Sequence, residues 1–107
     1  MEKNFVCGIL CFNNEKIIQK LIDDLNSSHE LSRIKKIFID DGSIDSTRKI
    51  LLSNNLEIIS HYKNLGYGCA VKSAFGYALK NKFEYLLIFP GDYQRSIEDL
   101  KLMTNLS

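Results

Sequence analysis

The sequence predicts an α/β fold, a parallel sheet of about four strands flanked by helices. Three observations carry this. Residues 5–12 and 83–89 form nearly unbroken apolar runs, which suit strands covered on both faces, as parallel strands are. Between such runs lie stretches with apolar residues at helical spacing, so strand and helix patterns alternate along the chain. Finally, 107 residues give room for one core, burying roughly 60–70% of the unfolded surface.

Residues 5–12 read as the first strand, broken by Asn13 and Asn14, either of which can cap the helix that follows. In that helix Ile17, Ile18, Leu21, Ile22 and Leu25 share a face, with Lys16, Gln19, Lys20, Asp23 and Asp24 opposite. Asn26-Ser27-Ser28 ends it. A second strand over residues 34–39 delivers Asp40 and Asp41. Asp45 or Ser46 caps a second helix carrying Ile50 and Leu51, and residues 56–60 form a short third strand. The stretch from His61 feeds a helix over about residues 68–80, with Ala70, Ala74 and Ala78 at intervals of four. That stripe lets the helix lie close to the sheet, while Val71, Phe75 and Leu79 supply bulk. The fourth strand, residues 83–89, ends in Pro90-Gly91-Asp92-Tyr93-Gln94. Ser96-Ile97-Glu98-Asp99 resembles a capping box for a last helix with Leu100 and Met103. Crossovers between parallel strands are right-handed, and the expected strand order is 3-2-1-4, a Rossmann-like sheet in a single domain spanning residues 1–107.

Composition excludes several functions. A net charge of +1 argues against a nucleic-acid partner, which usually requires a strong basic excess. No run of 18 apolar residues exists to span a membrane, and the N-terminal apolar run is too short and poorly flanked for a signal peptide. The cysteines are Cys7, Cys11 and Cys69, an odd number in no compact framework, which fits a reducing, cytoplasmic compartment. Cys7 and Cys11 sit four apart on a strand, pointing to one face of an apolar run. They read as buried thiols rather than metal ligands.

Polar groups follow three of the strands: Asn13-Asn14, Asp40-Asp41, and Asp92 with Gln94. In the order 3-2-1-4 these ends face one crevice at the switch point, where open α/β sheets bind ligands. Carboxylates gathered there need positive charge, and a divalent cation arriving with a diphosphate supplies it. Mg²⁺ or Mn²⁺ takes only one or two protein carboxylates, with phosphate and water completing the shell. Asp92 fits that role, with Gln94 as an orienter. Asp40 or Asp41 suits hydrogen bonding to a base or ribose, because an ionised carboxylate only accepts. Each feature also has a plainer reading. Asp40-Asp41-Gly42-Ser43 can be a polar turn with an N-cap, Pro90-Gly91-Asp92 a tight turn, and Asn64-Leu65-Gly66-Tyr67-Gly68 a glycine loop opening a helix. Lys72 is a solvated lysine or a diphosphate contact. Glu15 reads as a first-turn dipole partner rather than a catalyst. His29 and His61 read as ordinary surface or loop histidines.

Taken together and in this order, the segments resemble the family 2 glycosyltransferases, which have a GT-A fold. Cys11-Phe12-Asn13-Asn14-Glu15-Lys16 is similar to the family's first block. Asp40-Asp41-Gly42-Ser43-Ile44-Asp45-Ser46-Thr47 matches its Asp-Asp-Gly-Ser-x-Asp-x-Thr block and is the most specific signal. Asn64-Leu65-Gly66-Tyr67-Gly68-Cys69-Ala70-Val71-Lys72 resembles the Asn-x-Gly-x-Gly-x-Ala block, and Phe89-Pro90-Gly91-Asp92-Tyr93-Gln94 stands where Asp-x-Asp-x-Gln is expected. The resemblance covers about residues 5–100. It implies a donor site for a UDP- or GDP-linked sugar formed by Phe12, Asn13, Glu15, Asp40, Asp41, Ser43, Asn64, Gly68, Lys72, Gly91 and Asp92. Asp92 would hold Mg²⁺ or Mn²⁺.

The sequence departs from the family in three places. Leu10 replaces a proline at the end of the first strand. Pro90 replaces the first acid of Asp-x-Asp, leaving Asp92 as the metal contact. Family members also continue into a second half that binds the acceptor and supplies the base, and no credible base follows Asp92 here. The expectation is therefore the donor-binding part of a truncated GT-A domain. Gln94 and the Asp-Asp-Gly-Ser block lean toward members that load polyprenyl phosphates, which work at the inner face of the membrane. Two other classes compete. One is a non-catalytic nucleotide-binding or interaction module that associates through the apolar edge at residues 84–89. The other is a receiver-like phosphoacceptor domain, which expects its paired acids after the first strand, not the second.

Overall fold

The computed structural model of the chain describes residues 4–92 together with residues 98, 100 and 101. Its elements run β1 (Phe5–Cys11), α1 (Ile18–Ser27), α2 (His29–Ser32), β2 (Lys35–Asp40), α3 (Thr47–Ser53), β3 (Ile58–Ser60), α4 (Tyr67–Lys80) and β4 (Tyr85–Pro90). The four strands are parallel and lie in the order β3-β2-β1-β4, as expected. This is the α/β arrangement that the resemblance implies.

Side chains of a strand alternate between the two faces of a sheet, and here that alternation builds two cores. Cys7, Ile9 and Cys11 of β1, Phe38 of β2 and Phe89 of β4 face Ile18, Leu21, Leu25, Leu31 and Leu51 of α1, α2 and α3. Val6, Ile37 and Ile39 face the opposite way, onto Ala70, Ala74 and Ala78 of α4. Each fully buried Leu, Ile or Phe contributes roughly 1.5–3 kcal/mol. The alanine stripe works with Gly8: a Cβ built there would lie 2.9 Å from Ala74 Cβ, so α4 rests almost on the backbone of β1. The thiols of Cys7 and Cys11 are buried, as expected, and burial pushes both up to about 12. They pack as small apolar groups in the core.

Several local expectations are corrected. Phe75 and Leu79 do not supply buried bulk; both are exposed, because they stand one position beyond the buried alanines and so turn out of the contact. No side chain caps α1: the main-chain oxygen of Asn14 accepts from the Ile17 and Ile18 amides at 3.1 and 2.9 Å, while the Asn13 and Asn14 side chains bond elsewhere. The helix α2, four residues long, is too short to show a helical period in the sequence; Ser28 caps it by accepting from the Leu31 amide. Phe83 lies before the fourth strand rather than in it. Its amide donates to Ala78 O at 2.9 Å and its ring stacks on Tyr77. Beyond β4, Glu98, Leu100 and Lys101 are helical, and Leu100 is buried in the core that holds α1, α2 and α3. Tyr93, Gln94, Ser96, Asp99 and Met103 lie outside the described residues.

Among the described residues β4 pairs with β1 alone. Ser73 and Tyr77 tie α4 toward β3, through His61 and Glu57, and Phe75 and Leu79 of the same helix are exposed apolar surface. An exposed apolar strand edge is a template for pairing with another chain. The 107-residue chain is therefore expected to self-associate or to melt with weak cooperativity. Sedimentation giving one monomeric species, together with a sharp thermal transition, would contradict this.

Candidate functional site

The register and the alternation together decide what gathers at the carboxyl ends of the strands. Asp40 has the parity of Phe38 and turns toward α1 and α3, whereas Asp41 has the parity of Ile37 and Ile39 and turns toward α4. On that same face lie Leu10 of β1 with Phe12 just past the strand, and Pro90 of β4 with Asp92 just past it. With Asn64 and Gly66 from the loop before α4, and Tyr67 and Ala70 from its first turn, they line an open cavity of about 360 Å³, to which Cys11, Asn14 and Gly91 also contribute. A second hollow of about 280 Å³ opens at the other end of β2, where Lys35 and Glu57 pair at 2.7 Å. The convergent polar groups and the strand carboxyl ends belong to the first.

Asp41 is the centre of the larger site. One oxygen accepts from the Leu65 amide at 2.9 Å and lies 2.8 Å from His61 Nδ1. The other accepts from the Gly66 amide at 3.0 Å and the Asn64 side chain at 3.1 Å. Burial alone would raise this carboxyl, but the hydrogen bonds from His61, Leu65 and Gly66 outweigh it and hold Asp41 below the ordinary carboxylate value. Gly42 follows with φ +73°, and a Cβ there would fall 2.1 Å from the Lys63 carbonyl carbon. The turn after β2 therefore needs glycine both for its left-handed backbone and for the passage of the loop that Asp41 holds.

Behind the cavity, the loops after β1 and β2 are bonded to each other. The Asn13 amide donates to Ser43 Oγ at 2.9 Å, and Asn13 Oδ1 accepts from the Ile44 amide at 2.8 Å. The Asn14 amide donates to Thr47 Oγ1 at 2.9 Å, and the Glu15 amide to Asp45 Oδ2 at 3.2 Å. Glu15 Oε2 accepts in return from the Ser46 amide at 3.0 Å. Asn13 has φ +48°, a conformation that asparagine tolerates better than most residues. Asn14 reaches the third strand end, donating through Nδ2 to Gly91 O at 2.7 Å. Asp40 Oδ1 accepts from the Ser43 amide at 3.2 Å.

Of the residues expected at the site, Phe12, Asp41, Asn64, Gly91 and Asp92 line the cavity. Asn13, Glu15 and Ser43 stand behind it and hold the two loops together, while Asp40 bonds within its own turn. Gly68 and Lys72 are exposed on α4 and do not line it. Glu15 is not a first-turn partner of α1, which begins three residues later; its carboxylate meets the amino end of α3 instead. Asp45 is the acid that orders the entry to α3, accepting from the Thr47 amide at 2.9 Å, while Ser46 makes no side-chain cap. His61 is not an ordinary loop histidine. Its ring is buried between Asp41 and Ser73. The sequence did carry a signal for it: the first residues after adjacent parallel strands emerge side by side, and His61 is the first after β3.

The sequence model described as "Glycosyl transferase family 2" matches residues 7–106. The chain belongs to this family. Its four blocks are the segments that the sheet brings to one end: two bonded loops, the loop clamped by Asp41, and the turn carrying Asp92. A relative from Methanocaldococcus jannaschii, described as uncharacterized protein MJ0544, is 36% identical over 106 residues, covering 92% of this chain and 44% of its own length. The family 2 chain thus spans less than half of that relative. The crystal structure of S. aureus TarS matches with a TM-score of 0.62 at 21% identity, covering 99% of this chain and 20% of that one, a likeness of fold. Among the described residues no three His, Cys, Asp or Glu side chains gather to hold a metal.

Two predictions follow from the Asp41 clamp. Gly42→Ala should destabilise the domain by about 2–4 kcal/mol, combining a left-handed backbone with a steric clash, measurable by urea unfolding. Asp41 and Asp45 both have lowered native values, so their stabilisation is complete above their ordinary value of 3.8 and is lost as pH falls through the native values. Asp41→Asn should lower stability near neutral pH by about 2–3 kcal/mol, since it sets an amide against buried donors. It should also flatten the fall in melting temperature between roughly pH 5 and pH 2. An acid limb as steep as that of the wild type would show that Asp41 is not the group responsible.

Proposed function

We propose that residues 1–107 form the donor-binding part of a glycosyltransferase that takes a nucleoside-diphosphate sugar with a divalent cation. The observation that carries this reading is the cavity at the carboxyl ends of β1, β2 and β4. There Phe12, Asp41, Asn64 and Asp92, from four separate family blocks, line one wall-to-wall space. A volume of about 360 Å³ lies within the usual range for small-molecule sites.

The residues divide the work by their chemistry. Phe12, 47% exposed, presents a ring face on which a base can stack. Asp41 recognises the base or ribose as an acceptor. Its longest side-chain contact is the one from Asn64, so that amide is the donor a nucleotide N–H or O–H would displace. Gly68 and Lys72, farther along α4, serve as outer contacts to the diphosphate. Asp92 is one exposed carboxylate beside the cavity, which fits Mg²⁺ or Mn²⁺ brought in with phosphate oxygens and water. When bound, that cation neutralises charge developing on the leaving diphosphate. In this reading a polyprenyl phosphate is the favoured acceptor. A second reading, a nucleotide-binding or interaction module without turnover, is favoured by the apolar β4 edge and predicts binding with no transfer.

Calorimetric titration with UDP- and GDP-sugars in Mn²⁺ tests the central claim. One of the two series should bind, and Asp92→Ala should weaken it by about ten- to hundredfold, as expected for losing a contact to a charged group. Removing Mn²⁺ should weaken the wild type and leave Asp92→Ala little changed. Absence of binding in the wild type rejects the donor reading for this chain.

A further inference from the structure

His61 leaves β3 one residue past the register pair Asp40 and Ser60, and so emerges beside Asp41. Its ring bridges that carboxylate and α4, with Nδ1 2.8 Å from Asp41 Oδ1 and Nε2 2.7 Å from Ser73 Oγ. The two side chains, His61 and Asp41, are only 9% and 8% exposed. An ionised carboxylate cannot donate, so Nδ1 carries the proton in this contact. Nε2 of the neutral ring then accepts from the Ser73 hydroxyl. If the ring is protonated, the same hydroxyl accepts instead. Ser73 therefore satisfies either state of the ring, and the ring is held from both ends.

The other donors to Asp41 are the Leu65 and Gly66 amides and the Asn64 side chain, all from the loop that forms one wall of the cavity. None of the three can orient the carboxylate unless the loop is already in place. His61 can, because its position is set by β3 and by Ser73. We propose that His61 is a positioning residue for the cavity. By fixing Asp41 against α4 it places the Leu65 and Gly66 amides, and with them the wall made by Asn64, Gly66 and Tyr67. Its effect on nucleotide binding rests on the donor reading above; the clamp itself does not.

Two variants, each keeping a polar group near one ring nitrogen, separate the roles of the two. His61→Asn keeps an N–H near the place of Nδ1, and His61→Gln keeps a polar group near that of Nε2. Amide exchange at Leu65 and Gly66 is measured without nucleotide, followed by titration with UDP- and GDP-sugars in Mn²⁺. His61→Gln should speed exchange at both amides and weaken binding by about tenfold, with core amides of β1 and β2 unchanged. His61→Asn should return both quantities to near the wild type. Nitrogen chemical shifts of the wild-type ring should show the proton on Nδ1. A neutral ring protonated on Nε2, a His61→Gln protein that behaves as wild type, or a His61→Asn protein no better than His61→Gln would each overturn the proposal. If the wild type binds no nucleotide, the donor reading falls, while the exchange comparison and the ring tautomer still decide the clamp.

Discussion

Two adjacent carboxylates at the end of a buried strand cannot share a face of the sheet. Alternation sends Asp40 toward α1 and α3 and Asp41 toward α4, and each must then find donors, because an unpaired buried charge costs several kcal/mol. Asp40 takes the backbone of its own turn. Asp41 takes the loop between β3 and α4, and in doing so fixes where that helix begins. The cavity is a by-product of this second solution: a wall exists because a charge had to be satisfied. The glycine between the two acids and Ser43 belongs to the same requirement, since the clamped loop passes where any side chain at residue 42 would stand.

The fold was legible because its determinants are local and periodic. Apolar runs long enough for buried strands, separated by amphipathic helices, leave few topologies open, and the order 3-2-1-4 followed. The alanine stripe of α4 was equally plain, and its partner Gly8 could be located once the helix was assigned to β1. What the pattern did not show was on which side of the stripe the large residues would fall. Phe75 and Leu79 obey the helical period that makes the alanines a face, and the same period turns them outward.

The site was legible by composition and illegible in its bonding. Phe12, Asp41, Asn64 and Asp92 were expected to converge, and they do line one space. Asn13, Glu15 and Ser43 belong by resemblance to the same donor set, yet their hydrogen bonds run to each other's loops. Contacts thirty residues apart in sequence leave no periodic trace. His61 was missed for a related reason. A histidine in a loop carries no local mark of its partner, and only the β2 to β3 register places it beside Asp41.

The bonding between the first two blocks bears on how such a sequence is inherited. Asn13, Asn14 and Glu15 are read by Ser43, Ile44, Asp45, Ser46 and Thr47 through side chains that meet backbone. A substitution in one block therefore disturbs folding through the other, whether or not any substrate is ever bound. A requirement for a stable domain thus bears on Asn13, Glu15, Ser43, Asp45 and Thr47, whose side chains make these bonds. A descendant that lost its chemistry would still carry the lettering by which its ancestry is recognised.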